Sequence, residues 1–265
     1  MLNQDDYETI LIDKRANGVA IVTLNRPQKL NAVDAAMHYE LSRIFLDAEA
    51  DAEVKAVLLT GAGRAFCAGG DFGSGSAPGD AGSGRDMMRE ARQIVDNLLD
   101  CTKPVISAVN GYAMGLGSTV ALLADIVVAS DKAIFADTHV NLGIGAGDGG
   151  AVIWPLLMGA NRAKYYLMTG ERLPAAEAER LGLVNFVVAH DTLIERATAI
   201  ANQLAEGPVK AISASKVPIN KFIKMVSNLV LPISLSLEEA TMASNDAKEA
   251  ATAFVEKRKP KFTGR

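Results

Sequence analysis

Two glycine turns and a shortage of histidine limit the chemistry open to this chain. Ala68-Gly69-Gly70-Asp71 follows one apolar run and Gly115-Leu116-Gly117 follows another. Glycine lets the main chain approach a ligand closely. The helical run after the second turn begins with unpaired N–H groups at the positive end of its dipole. Two N–H groups from two such turns can grip one oxygen as it gains negative charge, which suits an enolate or a tetrahedral intermediate. Losing one such donor typically costs about 3 kcal/mol of transition-state stabilisation. The alternative is structural, with glycine needed only for tight packing of helix on strand. For proton transfer the chain holds three histidines, His38, His139 and His190, so the search for a general base is narrow. Two cysteines, Cys67 and Cys101, show neither pairing nor metal-ligand spacing and read as reduced thiols.

The elements that must carry these turns follow from hydrophobic periodicity. Residues 7–13 and 19–25 read as strands joined in a hairpin at Asn17-Gly18. Asn31 or Asp34 can cap a helix running to about residue 50. A buried strand over 54–60 leads into the first glycine turn. Residues 72–84, rich in Gly, Ser, Ala, Pro and Asp, read as a loop that could act as a lid. An amphipathic helix over 86–101 precedes the strand 105–109, which closes at Asn110-Gly111 and passes through the second turn into a small-residue helix. Short strands follow at 125–129 and 133–136. A glycine cluster over 143–150 then opens a helix broken near Gly159. Leu173-Pro174 starts a short helix that stops at Gly182, and 183–188 reads as another strand. Beyond Asp191 the pattern is helical, with interruptions at Gly207-Pro208, Pro218 and Pro232. No internal repeat or linker is visible. Strands alternating with helices early, then helices alone, predict an α/β core with a C-terminal helical layer.

Composition removes several function classes. The 265 residues are 49% hydrophobic, enough for one large domain, and the net charge of −4 suggests neither a nucleic-acid nor a membrane-surface partner. No apolar run reaches membrane-spanning length and the start lacks a secretory pattern, so a cytoplasmic location is expected. Gly145, Gly147 and Gly150 fit G-x-G-x-x-G, but no long apolar strand precedes them and the following helix contains Trp154-Pro155. Nicotinamide binding is therefore not expected. No Walker loop, nucleophile elbow or metal-ligand spacing is present, and neither a metal nor a resident cofactor is expected.

Taken together, certain segments resemble the crotonase (enoyl-CoA hydratase/isomerase) superfamily over nearly the whole length. They are Asn25-Arg26-Pro27 with Leu30-Asn31-Ala32, the stretch from Leu59-Thr60-Gly61 to Asp71, Pro104-Val105-Ile106 to Gly117, Asp125-Ile126, Leu167-Met168-Thr169-Gly170, and Ala253-Phe254 to Phe262. The resemblance implies a spiral of ββα units over residues 1–200 and a helical region over 201–265 used for trimer assembly, often as a hexamer of two trimers. It implies an acyl-CoA thioester whose carbonyl sits between the N–H groups of Gly70 and Leu116. Adenine and pantetheine would lie along Ala68, Gly70 and Asp71 and near Lys29-Leu30. The basic tail around Lys257 would face the CoA phosphate, although cations at a helix C-terminus complement its dipole without any ligand.

Two positions depart from the family pattern. Where the resemblance implies the two glutamates that activate water in hydratases, this chain has Thr119 and His139. A threonine hydroxyl is not basic enough for that task near neutral pH, whereas an imidazole is. His139, the glycine-rich turn and Asp148 are similar to the ring-opening C–C hydrolases of the 6-oxocamphor hydrolase branch, as are Trp154-Pro155, Gly159-Ala160-Asn161-Arg162 and Tyr165. There the histidine, oriented by the aspartate, activates water against a 1,3-dicarbonyl. Glu239 matches an acidic residue of that branch, and a solvated helix glutamate is the alternative. Asp148 could equally be a helix N-cap and His139 a loop histidine. His38 and His190 read as surface residues. The camphor-type enzymes lack the Leu-Asn-Ala and Ala-Gly-Gly-Asp features kept here, so a β-ketoacyl-CoA, cleaved hydrolytically between carbons, satisfies both halves. A hydratase or isomerase using an unusual base such as Asp137 or Glu239, and a non-catalytic acyl-CoA- or RNA-binding relative, are the other readings.

Overall fold

A computed structural model describes residues 1–71 and 84–265, so the expected lid falls outside the described residues except for Gly84. From residue 10 the chain runs as successive ββα units. They are β1 (Ile10–Lys14), β2 (Val19–Leu24) and α1 (Ala35–Ala50); β3 (Ala56–Gly61), β4 (Ala65–Cys67) and α2 (Gly84–Asp100); β5 (Val105–Val109), β6 (Tyr112–Met114) and α3 (Leu116–Leu123); then β7 (Ile126–Ser130), β8 (Ile134–Ala136) and α4 (Gly150–Met158). The repeat is thus structural, with no counterpart visible in the sequence. After it come α5 (Ala160–Thr169), β9 (Leu173–Pro174), α6 (Ala175–Leu181), β10 (Phe186–Val188), α7 (Leu193–Ala205), α8 (Val209–Met242) and α9 (Asn245–Val255).

Each unit deals its strands to two sheets. The larger has the order β1-β2-β3-β5-β7-β10 and the smaller β4-β6-β8-β9. Among the described residues, only β1 with β2 and β8 with β9 pair antiparallel. Parallel strands covered on both faces are apolar throughout, and every residue of β3 is buried. Alternate side chains serve opposite layers. Ala56, Leu58, Ile106 and Val128 pack with Leu193, Ala197 and Ile200 of α7. Val57, Leu59 and Val105 face Phe45 of α1 and Ile94 and Leu98 of α2.

Several expectations need correction. The three-residue strands β4 and β6 lie within segments that read as glycine turns, because so short a run carries no period. Leu173-Pro174 also pairs as a strand with β8, and Pro174 is the N-cap of the expected short helix, which ends at Gly182. The prolines at 218 and 232 do not interrupt α8. Both rings lie on its exposed side, while its other side is anchored. Lys216 pairs with Asp125 at 2.7 Å, and the Asn220 amide donates to the Leu99 carbonyl at 2.9 Å. An interior proline costs about 3 kcal/mol, and this packing offsets it. Of the two proposed caps for α1, Asp34 is the one used. Its carboxylate accepts the Met37 N–H at 2.9 Å.

Candidate active site

The smaller sheet decides where chemistry can happen. β4, β6 and β8 are parallel neighbours, so the segments leaving their carboxyl ends lie side by side. Those segments are 68–71, Gly115 and 137–139. Ligands in α/β folds gather at this end of the strands. The Gly115 N–H donates to the Ala136 carbonyl at 2.9 Å, and the Ala68 N–H to that of Leu30 at 3.0 Å. Val33 bridges to Gly70, but the bonds run through the Gly69 carbonyl (2.7 Å) and the Asp71 N–H (2.9 Å). The Gly70 N–H takes no part in that bridge. Leu116 is the first residue of α3, so its N–H has no partner in the helix ladder. Gly115 has φ 51°, and a Cβ there would stand 3.4 Å from His139 Cε1 and 3.9 Å from Gly69 Cα. Both turns and the imidazole therefore border one another.

Around that imidazole stand three carboxylates from separate segments. His139 Nδ1 meets Asp137 Oδ1 at 2.6 Å, which fixes the ring and directs Nε2 toward the remaining two. Asp148 Oδ2 is 3.4 Å from Nε2 and Glu238 Oε1 3.7 Å. Asp137, Asp148 and Glu238 are all buried. Asp148 does not cap α4, whose N-cap is Gly149 with no side-chain bond. It accepts the Thr119 hydroxyl at 3.0 Å instead. Asp137 thus holds the ring at Nδ1, and Asp148 faces Nε2.

Charge in this cluster is finely divided. Burial opposes a charge on His139, but Asp137 and Asp148 outweigh it and raise the imidazole well above its usual range. Burial would raise Asp148, yet His139 and the Thr119 hydrogen bond hold it below the ordinary aspartate value. Glu238 is pushed up to about 8, first by burial and then by the Asp148 charge. The cluster therefore favours a charged imidazole beside an ionised Asp148, with the Glu238 carboxyl kept neutral more readily than an ordinary glutamate. Such groups titrate as a unit.

The glycine run 145–150 exists to let these groups close in. A Cβ at Gly147 would collide with Glu238, and one at Gly150 with the Asp137 carboxylate. At Gly149, with φ 117°, it would lie 2.7 Å from the Thr119 methyl. Small residues are required here by close approach.

The remaining candidates divide. Glu239 is exposed, and its neighbour Glu238 faces the cluster. Glu239 thus takes the solvated position, and one residue on a helix is a rotation of about 100°. The Asp71 carboxylate is bound to Arg26 at 2.9 Å, so it braces the turn and leaves main chain for any ligand. Lys29 is exposed beside Leu30, which takes a left-handed conformation (φ 55°). Lys257 is exposed just past the end of α9. His38 is not a surface residue. Only 13% of its side chain is exposed and Nδ1 meets Glu90 at 2.7 Å. His190 Nδ1 lies 3.0 Å from the Ser130 hydroxyl, outside the cluster. Asp137, His139 and Asp148 offer ligand atoms within 4.8 Å of one another, so a cation could be held there. Their spacing in sequence follows no known ligand pattern. Glu238 likewise gave no signal in sequence, because α8 brings it from far along the chain.

Comparison with known proteins places this architecture. The sequence profile described as enoyl-CoA hydratase/isomerase matches residues 14–265. A probable enoyl-CoA hydratase of Rhodobacter capsulatus is 37% identical over 263 residues, covering 98% of this chain and 99% of its own. An enoyl-CoA hydratase/isomerase crystal structure from Mycobacterium paratuberculosis superposes with a TM-score of 0.89 at 37% identity, over 93% of this chain and 99% of the other. A β-diketone hydrolase from the cyanobacterium Anabaena sp., solved with (S)-3-oxocyclohexyl acetic acid, gives a TM-score of 0.83 at 34% identity, over 90% and 95% of the two chains. The fold is the crotonase fold with its C-terminal helices, and the chain belongs to the enoyl-CoA hydratase/isomerase family.

Proposed function

We propose that the protein hydrolyses a carbon–carbon bond in a β-ketoacyl-CoA, using the His139 cluster for proton transfer and the two glycine turns to hold the thioester oxygen. The observation that carries this reading is the contact of that cluster with Gly115, at the position where hydration by the family pattern would need paired glutamates. Once its Nε2 proton is lost to solvent, the imidazole takes a proton from water, while Asp148 stays ionised and stabilises the imidazolium that forms. The hydroxide so formed adds to the ketone carbon. Collapse of the adduct breaks the bond to Cα, and the electron pair passes into the thioester enolate. Its oxygen rests between the N–H groups of Gly70 and Leu116, and a proton from the cluster returns to Cα. One water is consumed; an open-chain substrate gives a carboxylic acid and a shortened acyl-CoA, and a cyclic one gives a single ring-opened acyl-CoA with a terminal carboxylate. Coenzyme A is part of the substrate, with Lys29, Leu30 and Ala68 lining its path and Lys257 facing its phosphate. The likeness to a β-diketone hydrolase supports the same chemistry.

Steady-state turnover of a cyclic β-ketoacyl-CoA tests this reading. His139→Ala should lose about 10²–10⁴ in kcat, the usual worth of a positioned acid–base group. Wild-type rates in that variant would end the proposal. Hydration of an enoyl-CoA is the second reading. It is favoured by relatives named as probable hydratases, with Glu238 as the acid. Ordinary turnover of crotonyl-CoA that survives His139→Ala would select it.

The protein assembles as a trimer or a pair of trimers in this reading. Phe222, Met225, Leu229 and Ile233 of α8 and Phe254 of α9 stand more than half exposed, and apolar surface so grouped marks contact between copies. Sedimentation equilibrium giving a monomer at micromolar concentration would refute it.

A further inference from the structure

We propose that Thr119 is a positioning residue of the catalytic cluster, holding one oxygen of Asp148 so that the other is presented to His139 Nε2. The inference rests on the acid–base reading of that pair. A threonine inside a helix usually returns its hydroxyl to the carbonyl one turn back. Thr119 spends its hydroxyl on Asp148 Oδ1 at 3.0 Å. Asp148 Oδ2 then stands 3.4 Å from Nε2. Thr119 is fully buried, so no water competes for the bond. Its methyl is committed as well. Gly149 is wedged against that methyl and Val95, and a Cβ there would stand 2.7 Å and 3.1 Å from them. One side chain thus fixes both the carboxylate and the turn that carries it. The hydroxyl sets the rotation of Asp148, and the methyl sets how close the 147–150 segment comes to α3.

The two groups can be removed separately. Thr119→Val keeps the shape and deletes the donor. Thr119→Ser keeps the donor and deletes the methyl. With a cyclic β-ketoacyl-CoA, Thr119→Val should lower kcat about ten- to hundredfold with KM within threefold. A donor to a carboxylate favours its ionised form, so removing it moves the acid limb of the kcat/KM profile to higher pH. Asp148 is also faced by His139 and Asp137 beyond β8, Glu238 of α8, His38 of α1 and Cys67 of β4, and these remain unchanged in the variant. Thr119→Ser should restore kcat and the acid limb to within about threefold of wild type.

A second measurement needs no substrate. With three histidines in the chain, the His139 ring nitrogens can be assigned by ¹⁵N NMR. If the hydroxyl holds Asp148 against Nε2, the His139 titration midpoint falls in Thr119→Val and returns in Thr119→Ser. A Val variant with the wild-type midpoint and rate overturns the proposal, and so does a Ser variant as impaired as Val. Should no β-ketoacyl-CoA turn over in the wild type, the reaction reading fails while the NMR comparison still decides the role of Thr119.

Discussion

The site has two walls, made in opposite ways. One is main chain: the turns at residues 68–71 and at Gly115, bonded to Leu30, Val33 and Ala136 and lying at the ends of adjacent strands. The other is side chain: Asp137, His139, Asp148 and Glu238, drawn from the end of β8, the 145–150 segment and α8. The first wall is a local motif and each half is short in sequence. The second exists only after folding. Preorganised amides need only backbone geometry, so glycine and strand register suffice. A buried acid–base cluster must be crowded, because neighbours and burial set its proton affinities. That crowding is why Gly147, Gly149 and Gly150 can carry no side chain.

The comparison breaks most sharply at Asp148. Asp148→Asn keeps the shape and the bond from Thr119 but removes the carboxylate from Nε2. It should lower kcat by about 10²–10⁴, as loss of an acid–base partner does, and leave KM for the acyl-CoA nearly unchanged. A large rise in KM with little loss of kcat would mean that Asp148 binds substrate and belongs to neither wall as drawn. The main-chain wall is tested at Gly115. Gly115→Ala puts a Cβ 3.4 Å from His139 Cε1 at φ 51° and ψ −125°, a backbone region that glycine adopts readily and that costs an L-residue on the order of 1–3 kcal/mol. The Leu116 N–H should shift and kcat should fall about ten- to hundredfold, less than for Asp148→Asn, since the donor is displaced and not deleted. If both variants lose the same factor, the walls act as one unit.

What could be read in advance follows the same division. The turns, the α/β class and the C-terminal helices were legible, since each rests on local pattern or motif order. His139 and Asp148, paired in the sequence reading, do lie 3.4 Å apart, while Asp137 is the carboxylate at Nδ1. Asp137 sits within two residues of His139, and only the fold shows that it takes Nδ1. The proline breaks expected in α8 failed because tertiary packing outweighs helix propensity, with Lys216 and Asn220 pinned to the core side. His38 read as a surface residue because Glu90, its partner on α2, is remote in sequence.

Glu238 offers a pH test of the side-chain wall. Its carboxyl is raised from 4.5 to about 8, so the folded protein keeps a proton there that the unfolded chain releases. Stability is therefore lost progressively as pH rises from about 4.5 to about 8, and little more is lost above that. Glu238→Gln keeps the neutral form at every pH. Its urea midpoint should match wild type near pH 4.5 and exceed it increasingly toward pH 8, by on the order of a few kcal/mol. The variant should also lose the limb of the kcat profile near pH 8. A midpoint difference that stays constant across this range would mean that Glu238 is ionised in the folded protein at neutral pH.

The smallest effect expected is the one that fixes the helix register. Glu239 is chemically identical to Glu238 and adjacent to it, yet it faces solvent. Glu239→Gln should leave kcat within twofold and the pH profile unmoved, while Glu238→Gln changes both. Assayed side by side, the two variants differ only in which face of α8 carries the amide. Equal effects would mean that a general change in the charge of α8 tunes the site. An effect confined to residue 239 would turn the helix by one position and remove α8 from the cluster. The wall would then lose its third carboxylate, and with it the proton that Glu238 supplies near neutral pH.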